Sequence, residues 1–187
     1  GCGTGAFTIG SAIRGYNSLG LSWDERNQRI AAERAVYCNA ANAHFEILDV
    51  RELSSKLQYS GIYDYALCLE TIEHIIDDRA LISSIQMCLK PGGYLLLTTP
   101  NLNYREIDRS DLGPFSKTET GWHVRRGYSS SMLTAIQRYF EKINPFLGWI
   151  VILPFRFLPI IFDGAIRLLF KYPDYSIGLV AYKKRFA

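Results

Sequence analysis

Gly1-Cys2-Gly3-Thr4-Gly5-Ala6 opens the chain, and the reading of this turn decides the fold. Glycine permits backbone dihedrals that a Cβ forbids, so a strand-to-helix turn of this composition lets N–H groups approach a ligand at the start of the next helix. Taken alone the turn fits G-x-G-x-x-A, a pattern used for dinucleotides, with the acidic Asp24 near the later position where such sites carry an acid. Turns of this kind follow a central parallel strand, and none precedes this one. The chain therefore reads as cut from a longer polypeptide, its first strand missing and the activity of the piece not assured.

Working outward, Phe7 to Tyr16 predicts a helix, Leu19 to Ser22 a short buried strand and Asp24 to Ala40 a second helix. Ser22 and Glu25 have the spacing of a capping box, which would satisfy free N–H groups at that helix's start. His44 to Val50 and Asp64 to Glu70 read as strands. Asp77 or Asp78 starts a helix with Leu81, Ile82, Ile85, Cys88 and Leu89 at helical spacing. Lys90-Pro91-Gly92-Gly93 then predicts a tight reversal into an apolar strand, Tyr94 to Thr99. A long polar loop follows from Pro100 to about Gly127, then a helix over Ser129 to Phe140 and a late strand over Ser176 to Tyr182. Strands alternating with helices imply an α/β fold, a doubly wound and mostly parallel sheet.

With 187 residues, 48% of them hydrophobic, the chain has the size of a single domain over 1–187 and can bury a substantial core. Its net charge of +3 and the short basic clusters at Arg125-Arg126 and Lys183-Lys184-Arg185 form no nucleic-acid footprint. The four cysteines show no CxxC spacing, so neither a zinc site nor a disulfide framework is expected, and a cytoplasmic setting fits.

The residues further along settle the ligand class. Asp49, Glu70-Thr71-Ile72-Glu73-His74, Leu89-Lys90-Pro91-Gly92-Gly93-Tyr94 and Thr98-Thr99-Pro100-Asn101 occur in a particular order behind the glycine turn. As a set they resemble class I S-adenosylmethionine-dependent methyltransferases, and most of all the small-molecule O-methyltransferases of ubiquinone biosynthesis. The resemblance covers Gly1 to about Tyr139. It implies a Rossmann-like sheet with one antiparallel strand near its edge and S-adenosylmethionine across the carboxyl ends of the strands. It would place Gly1, Cys2, Gly3 and Gly5 beside the methionine part of the cofactor, with Asp49 accepting from the adenine amino group and Val50 beside it. The family commonly ends its second strand with an acid that grips both ribose hydroxyls. Here Ser22 stands at that point, leaving the ribose to Ser22, to a displaced Asp24 or to water; both residues could equally serve only as helix caps.

Glu70, Glu73 and His74 are the most chemically loaded cluster. Glu70 is expected beside the cofactor, and two roles compete for the cluster. His74 could take a proton from an acceptor hydroxyl, because imidazole titrates near neutral pH. Alternatively Glu70, Glu73 and His74, with His123, could hold Mg2+ or Mn2+ that lowers the hydroxyl's pKa, as the resemblance to ubiquinone-type enzymes implies. The plain alternative is that these residues stabilise a loop and a helix start. Trp122 to Tyr128 ends the long loop, where His123, Arg126 and Tyr128 are candidates for substrate contact or for loop anchoring.

Residues 143–172 read as an apolar insertion or lid, with thirteen uncharged residues between Lys142 and Arg156, short of the roughly 18 that a membrane span needs. A shallow contact with the inner face of a membrane, a buried core pair and a dimer face all fit. The expected function is O-methylation of a small acceptor, lipid-linked or glycan-linked. A nicotinamide-dependent oxidoreductase and a non-catalytic membrane-associated module are the rivals.

Overall fold

The computed structural model describes residues 1–102, 116–142 and 176–183, so the apolar stretch over 143–172 lies outside the described residues. The chain divides into two compact units, Gly1–Leu57 and Gln58–Ala187.

The first unit runs α1 (Ala6–Ile13), β1 (Ser18–Ser22), α2 (Glu25–Tyr37) and β2 (Ala43–Ile47). β1 and β2 pair in parallel, Ser18 opposite Ala43 through Ser22 opposite Ile47, so their carboxyl ends lie side by side. Ile9, Ala12, Ala35 and Ala40 form the core between helices and sheet, with Ala43 and Phe45 packed against it. The small side chains matter at this contact. A Cβ at Gly5 would lie 2.8 Å from the Phe45 ring and 2.9 Å from Ala31 Cβ, and Gly5 has φ +80°, so this turn accepts only glycine. The expected capping box is corrected here. Asp24, not Ser22, caps α2, accepting from Asn27 N at 3.1 Å, while Ser22 ends β1 and its Oγ accepts from Asp24 N at 3.2 Å. Asp24 can flex into this role because the extra residue after the strand leaves its backbone extended, as an N-cap requires.

The second unit contains β3 (Tyr63–Leu69), α3 (Asp78–Cys88), β4 (Leu89–Pro100), α4 (Ser130–Lys142) and β5 (Ser176–Tyr182). β3 and β4 are parallel and β5 is antiparallel to β4, which is the one reversed strand that the sequence resemblance implied. Lys90-Pro91-Gly92-Gly93 does not separate helix from strand as expected. Strand β4 begins already at Leu89, and the tetrapeptide is looped out within it, between the pairs Tyr63–Leu89 and Tyr65–Tyr94. Gly92, at φ +92°, makes that excursion possible. Lys183 holds it from the far side, its N–H donating to Gly93 O at 2.7 Å.

On one face of this sheet Leu95, Leu97 and Thr99 are wholly buried, with Leu179 and Ala181, beneath α3 and α4. Each fully buried leucine there contributes about 2 kcal/mol from removal of apolar surface from water. Asp77 caps α3 by accepting from Ala80 N at 2.9 Å, as the Asp-Asp pair predicted. The cap starts α3 directly after the turn Ile72–His74, which bears the most polar residues of the unit.

Candidate functional site

In the first unit the expected cofactor residues gather at the carboxyl ends of β1 and β2. Cys2 N donates to Leu21 O at 2.8 Å, which lays the opening turn along the outer edge of β1. Leu48 N donates to Ser22 O at 3.0 Å, and this crosslink brings Asp49 to the same end of the pair. The turn itself is closed by Gly5 N donating to Cys2 O at 3.0 Å, and Gly3 shares the left-handed backbone of Gly5. Arg34 of α2 braces it through Thr4 O at 2.8 Å and Thr4 Oγ1 at 2.7 Å.

Asp49 caps the short helical turn Val50–Ser55, accepting from Arg51 N at 2.9 Å, and the Arg51 guanidinium lies across both its oxygens. That guanidinium is the main reason the Asp49 carboxyl is held below its ordinary range, so the group is ionised. Asp24 is otherwise occupied. Asn27 N binds its Oδ1 and Asn27 Nδ2 its Oδ2 at 2.9 Å, so the capping alternative is the one its geometry carries.

Sequence reasoning missed Gln28. Its side chain is 5% exposed, and its Nε2 donates to Gly20 O at 3.0 Å and to Glu46 O, joining β1 and β2 from beneath. Its Oε1 accepts from Cys2 Sγ at 3.2 Å, so one amide ties the sheet to the glycine turn. A glutamine in a helix interior carries no signal that it will be buried, so no pattern in the sequence marks it. Gln28→Leu is expected to lower stability by about 2–3 kcal/mol in urea denaturation, because two strand carbonyls lose their donor in a buried setting. A loss below 0.5 kcal/mol, on the scale of a surface change, would contradict this.

In the second unit Glu70 closes β3, its N–H donating to Thr98 O at 2.9 Å. Its backbone is left-handed at φ +48°, an uncommon conformation for a residue with a side chain and one that clusters at functional sites. Glu73 and His74 follow on the short turn. Glu73 is 1% exposed; Thr99 Oγ1 donates to its Oε2 at 3.2 Å, and its Oε1 has no partner. Burial, reinforced by the charge of Glu70, pushes the Glu73 carboxyl up to about 7. His74 Nε2 lies 3.8 Å from Glu73 Oε1. The His123 ring packs edge-on against the His74 ring at 4.6 Å, brought there by Val124 N donating to Glu73 O at 3.0 Å. Burial, then the neighbouring His74, pulls the His123 imidazole below its ordinary pKa and so favours its neutral, metal-binding form.

One ligand atom from each of Glu73, His74 and His123 lies within 4.8 Å of the others. Of the four residues weighed for a metal from the sequence, Glu73, His74 and His123 form this trio and Glu70 is not part of it. Glu70 stands at the strand end, and the three-residue step to Glu73 carries the chain into the turn. Three buried polar atoms lack partners here, Glu73 Oε1, His74 Nδ1 and His123 Nδ1. Buried polar atoms are nearly always paired, so three unpaired ones on neighbouring side chains set this cluster apart.

A methyltransferase-domain family profile matches residues 1–144. The chain belongs to the methyltransferase domain family. Ubiquinone biosynthesis O-methyltransferase from Acinetobacter baylyi is 33% identical to this methyltransferase domain over 103 residues, 55% of the chain and 42% of that enzyme. The same-named enzyme of Marinobacter nauticus is 30% identical over the same length. The chain thus spans less than half the length of the curated relatives it matches. Among solved structures, a SAM-dependent methyltransferase from Archaeoglobus fulgidus superposes with TM-score 0.67 at 16% identity, covering 98% of this chain and 83% of that one. An S-adenosylmethionine-dependent methyltransferase from Mesorhizobium loti gives 0.68 at 19% identity, covering 97% and 88%. The fold is therefore the Rossmann-like one of class I methyltransferases, and the nicotinamide and non-catalytic rivals give way to it.

Of the three loop residues of this methyltransferase domain expected near a substrate, only His123 joins the cluster. Tyr128 is 1% exposed and its hydroxyl donates to Asp78 Oδ2 at 2.8 Å, so of the two roles weighed for it the loop-anchoring one is the role its geometry carries. The reason is the adjoining backbone: Tyr128 N donates to Pro100 O at 3.0 Å, fastening the residue beside the end of β4 with its ring turned inward. Among the described residues no helix is long and apolar enough to cross a membrane.

Proposed function

We propose that this chain carries out S-adenosylmethionine-dependent O-methylation of a small hydroxylated acceptor, using Glu73, His74 and His123 for the proton and charge chemistry. The observation that carries the reading is this trio, with three unpaired buried ligand atoms, inside a methyltransferase domain. The name of the ubiquinone-biosynthesis O-methyltransferase relatives supports oxygen as the atom methylated; a small acceptor, lipid-linked or glycan-linked, is the class we propose.

S-adenosylmethionine, when bound, would supply a sulfonium methyl for transfer to the acceptor oxygen, with S-adenosylhomocysteine as the leaving group. In the first unit, Gly1, Cys2, Gly3 and Gly5 would admit the cofactor's amino-acid end, because three of the four carry no side chain and the Cys2 Sγ is turned to Gln28 Oε1. Asp49, with Val50 beside it, would accept from an adenine amino group and Ser22 would serve a ribose hydroxyl. Asp24 supports this site as the cap of α2. In the second unit Glu70 is the catalytic-side carboxylate that would face the cofactor.

The chain's work is to order the encounter and deprotonate the nucleophile. His74 Nδ1 is enclosed, which leaves Nε2, 3.8 Å from Glu73 Oε1, to receive the acceptor's proton. Glu73, His74 and His123 also suit a divalent cation, which would lower the hydroxyl's pKa. Two imidazoles move the preference away from magnesium, so Mn2+ is the ion of choice between the two expected.

Isothermal calorimetry with S-adenosylhomocysteine is expected to show saturable binding, and tritiated methyl transfer to a prenylated catechol is expected to stop in EDTA and return with Mn2+. Absence of heat with S-adenosylhomocysteine would reject the cofactor assignment. Undiminished turnover in EDTA would reject the metal and leave His74 as the base.

A further inference from the structure

We propose that Arg125 is the positioning residue of the Glu73–His74–His123 cluster, its guanidinium fastening the 116–128 segment to the turn that carries Glu73 and His74. The assignment of a role in metal binding rests on the reading above; the positioning itself does not. Arg125 Nη2 donates to Ile75 O at 2.7 Å and to Ile76 O at 2.9 Å, the two carbonyls immediately after His74. Nη1 reaches Asp78 Oδ2 and the Tyr128 hydroxyl, and the guanidinium carbon sits 5.3 Å from the Tyr128 ring centre.

His123 is two residues before this fork. The segment on its other side is held less well: Ser116 N donates to His123 O at 2.9 Å within the segment itself, and Glu119 Oε1 accepts from Ile76 N at 2.5 Å. Among the described residues the segment is tied to this turn by the Val124–Glu73 backbone bond, the Ile76–Glu119 bond and the Arg125 fork, and the fork joins several acceptors through one planar group. A planar guanidinium can serve two carbonyls and a carboxylate at once, whereas an ammonium is a point donor on a flexible stem. Arg125→Lys preserves the charge and loses the geometry. No sequence pattern distinguished Arg125 from its neighbour Arg126, because the distinction lies in the carbonyls of Ile75 and Ile76, far away in the chain.

The chain has only three histidines, so the ring signals of His74 and His123 can be assigned in an imidazole-selective NMR spectrum. In the native protein the edge-on packing of the two rings is expected to displace these signals from those of free imidazole. In Arg125→Lys they are expected to move towards free values, and Mn2+ affinity is expected to fall about 10- to 100-fold, the usual result of losing an orienting partner of a metal ligand. Lys183→Met is the control for lost stability alone. Lys183 Nζ donates to Gln86 O at 2.9 Å and Leu89 O at 2.6 Å, capping the end of α3 remote from Asp78, so its loss is expected to lower Tm and leave both readouts unchanged. Unmoved ring signals in folded Arg125→Lys overturn the proposal. Should that variant not fold, Asp78→Asn, which weakens the same fork, is expected to move the signals in the same direction, and unmoved signals there overturn it equally. A native protein that binds no Mn2+ removes the metal reading, and the ring signals still decide for or against Arg125.

Discussion

Glu73→Gln is expected to lower methyl transfer by about 100-fold or more while making the folded protein more stable at pH 8 than the native sequence. The first effect follows from removing the carboxylate that faces His74 and offers an unpaired oxygen, since a positioned acid–base group contributes roughly 10²- to 10⁴-fold. The second follows from proton linkage. Burial pushes the Glu73 carboxyl up to about 7, whereas in the unfolded chain it titrates at its ordinary value near 4.5. Between those two pH values the native state holds a proton that the unfolded state has released, so stability falls as pH rises. The stabilisation is fully present below about 4.5 and lost above about 7. Glutamine has no proton to lose, keeps nearly the same shape and can still accept from Thr99 Oγ1. The gain at pH 8 is therefore on the order of 2–3 kcal/mol, and the urea midpoint of the variant should be flat across this window. Full methyl transfer by Glu73→Gln would make the residue structural; a midpoint that still slopes downward from pH 5 to 7 would place the titration elsewhere.

A residue that is expensive to bury ionised, and is buried nevertheless, marks where the sequence was legible and where it was not. Glu73 and His74 stood out because of residue type and spacing, which a sequence displays directly. The partners that give them meaning are set by tertiary contact. His123 reaches them through the Val124–Glu73 backbone bond, from a loop whose course no periodicity describes. The elements themselves were legible to within a few residues because apolar spacing fixes which face is buried, as in α3, where Leu81, Ile82, Ile85 and Cys88 are all inside. The failures came at boundaries. Lys90-Pro91-Gly92-Gly93 has the composition of a turn and forms an excursion within β4, since pairing of Leu89 with Tyr63 starts the strand before it. Ser22 has the type of a cap, but Asp24 is two residues further on and takes the position. Local chemistry names the residues capable of a task; competition among neighbours decides which performs it.

Gly127→Ala is expected to destabilise the protein by on the order of 3–4 kcal/mol, more than any other single methyl group considered for this chain. Two independent costs meet at this residue. Its φ of +145° is a conformation that side chains rarely adopt, and a Cβ there would lie 2.2 Å from Pro100 O and 2.8 Å from Pro100 C. Those are backbone atoms at the end of β4, so no side-chain rotation relieves the clash. Separation would break the bond from Tyr128 N to Pro100 O and that from Leu102 N to Tyr128 O, both 3.0 Å, and so detach the segment that presents His123. Gly61→Ala isolates the conformational part: Gly61 also has positive φ, +66°, but nothing lies within 4 Å of a Cβ there. Its cost should stay near 1 kcal/mol. Urea denaturation of the two variants side by side tests the argument. Equal losses would mean that strain alone governs both positions, and that the close approach of residue 127 to Pro100 does not hold the loop in place.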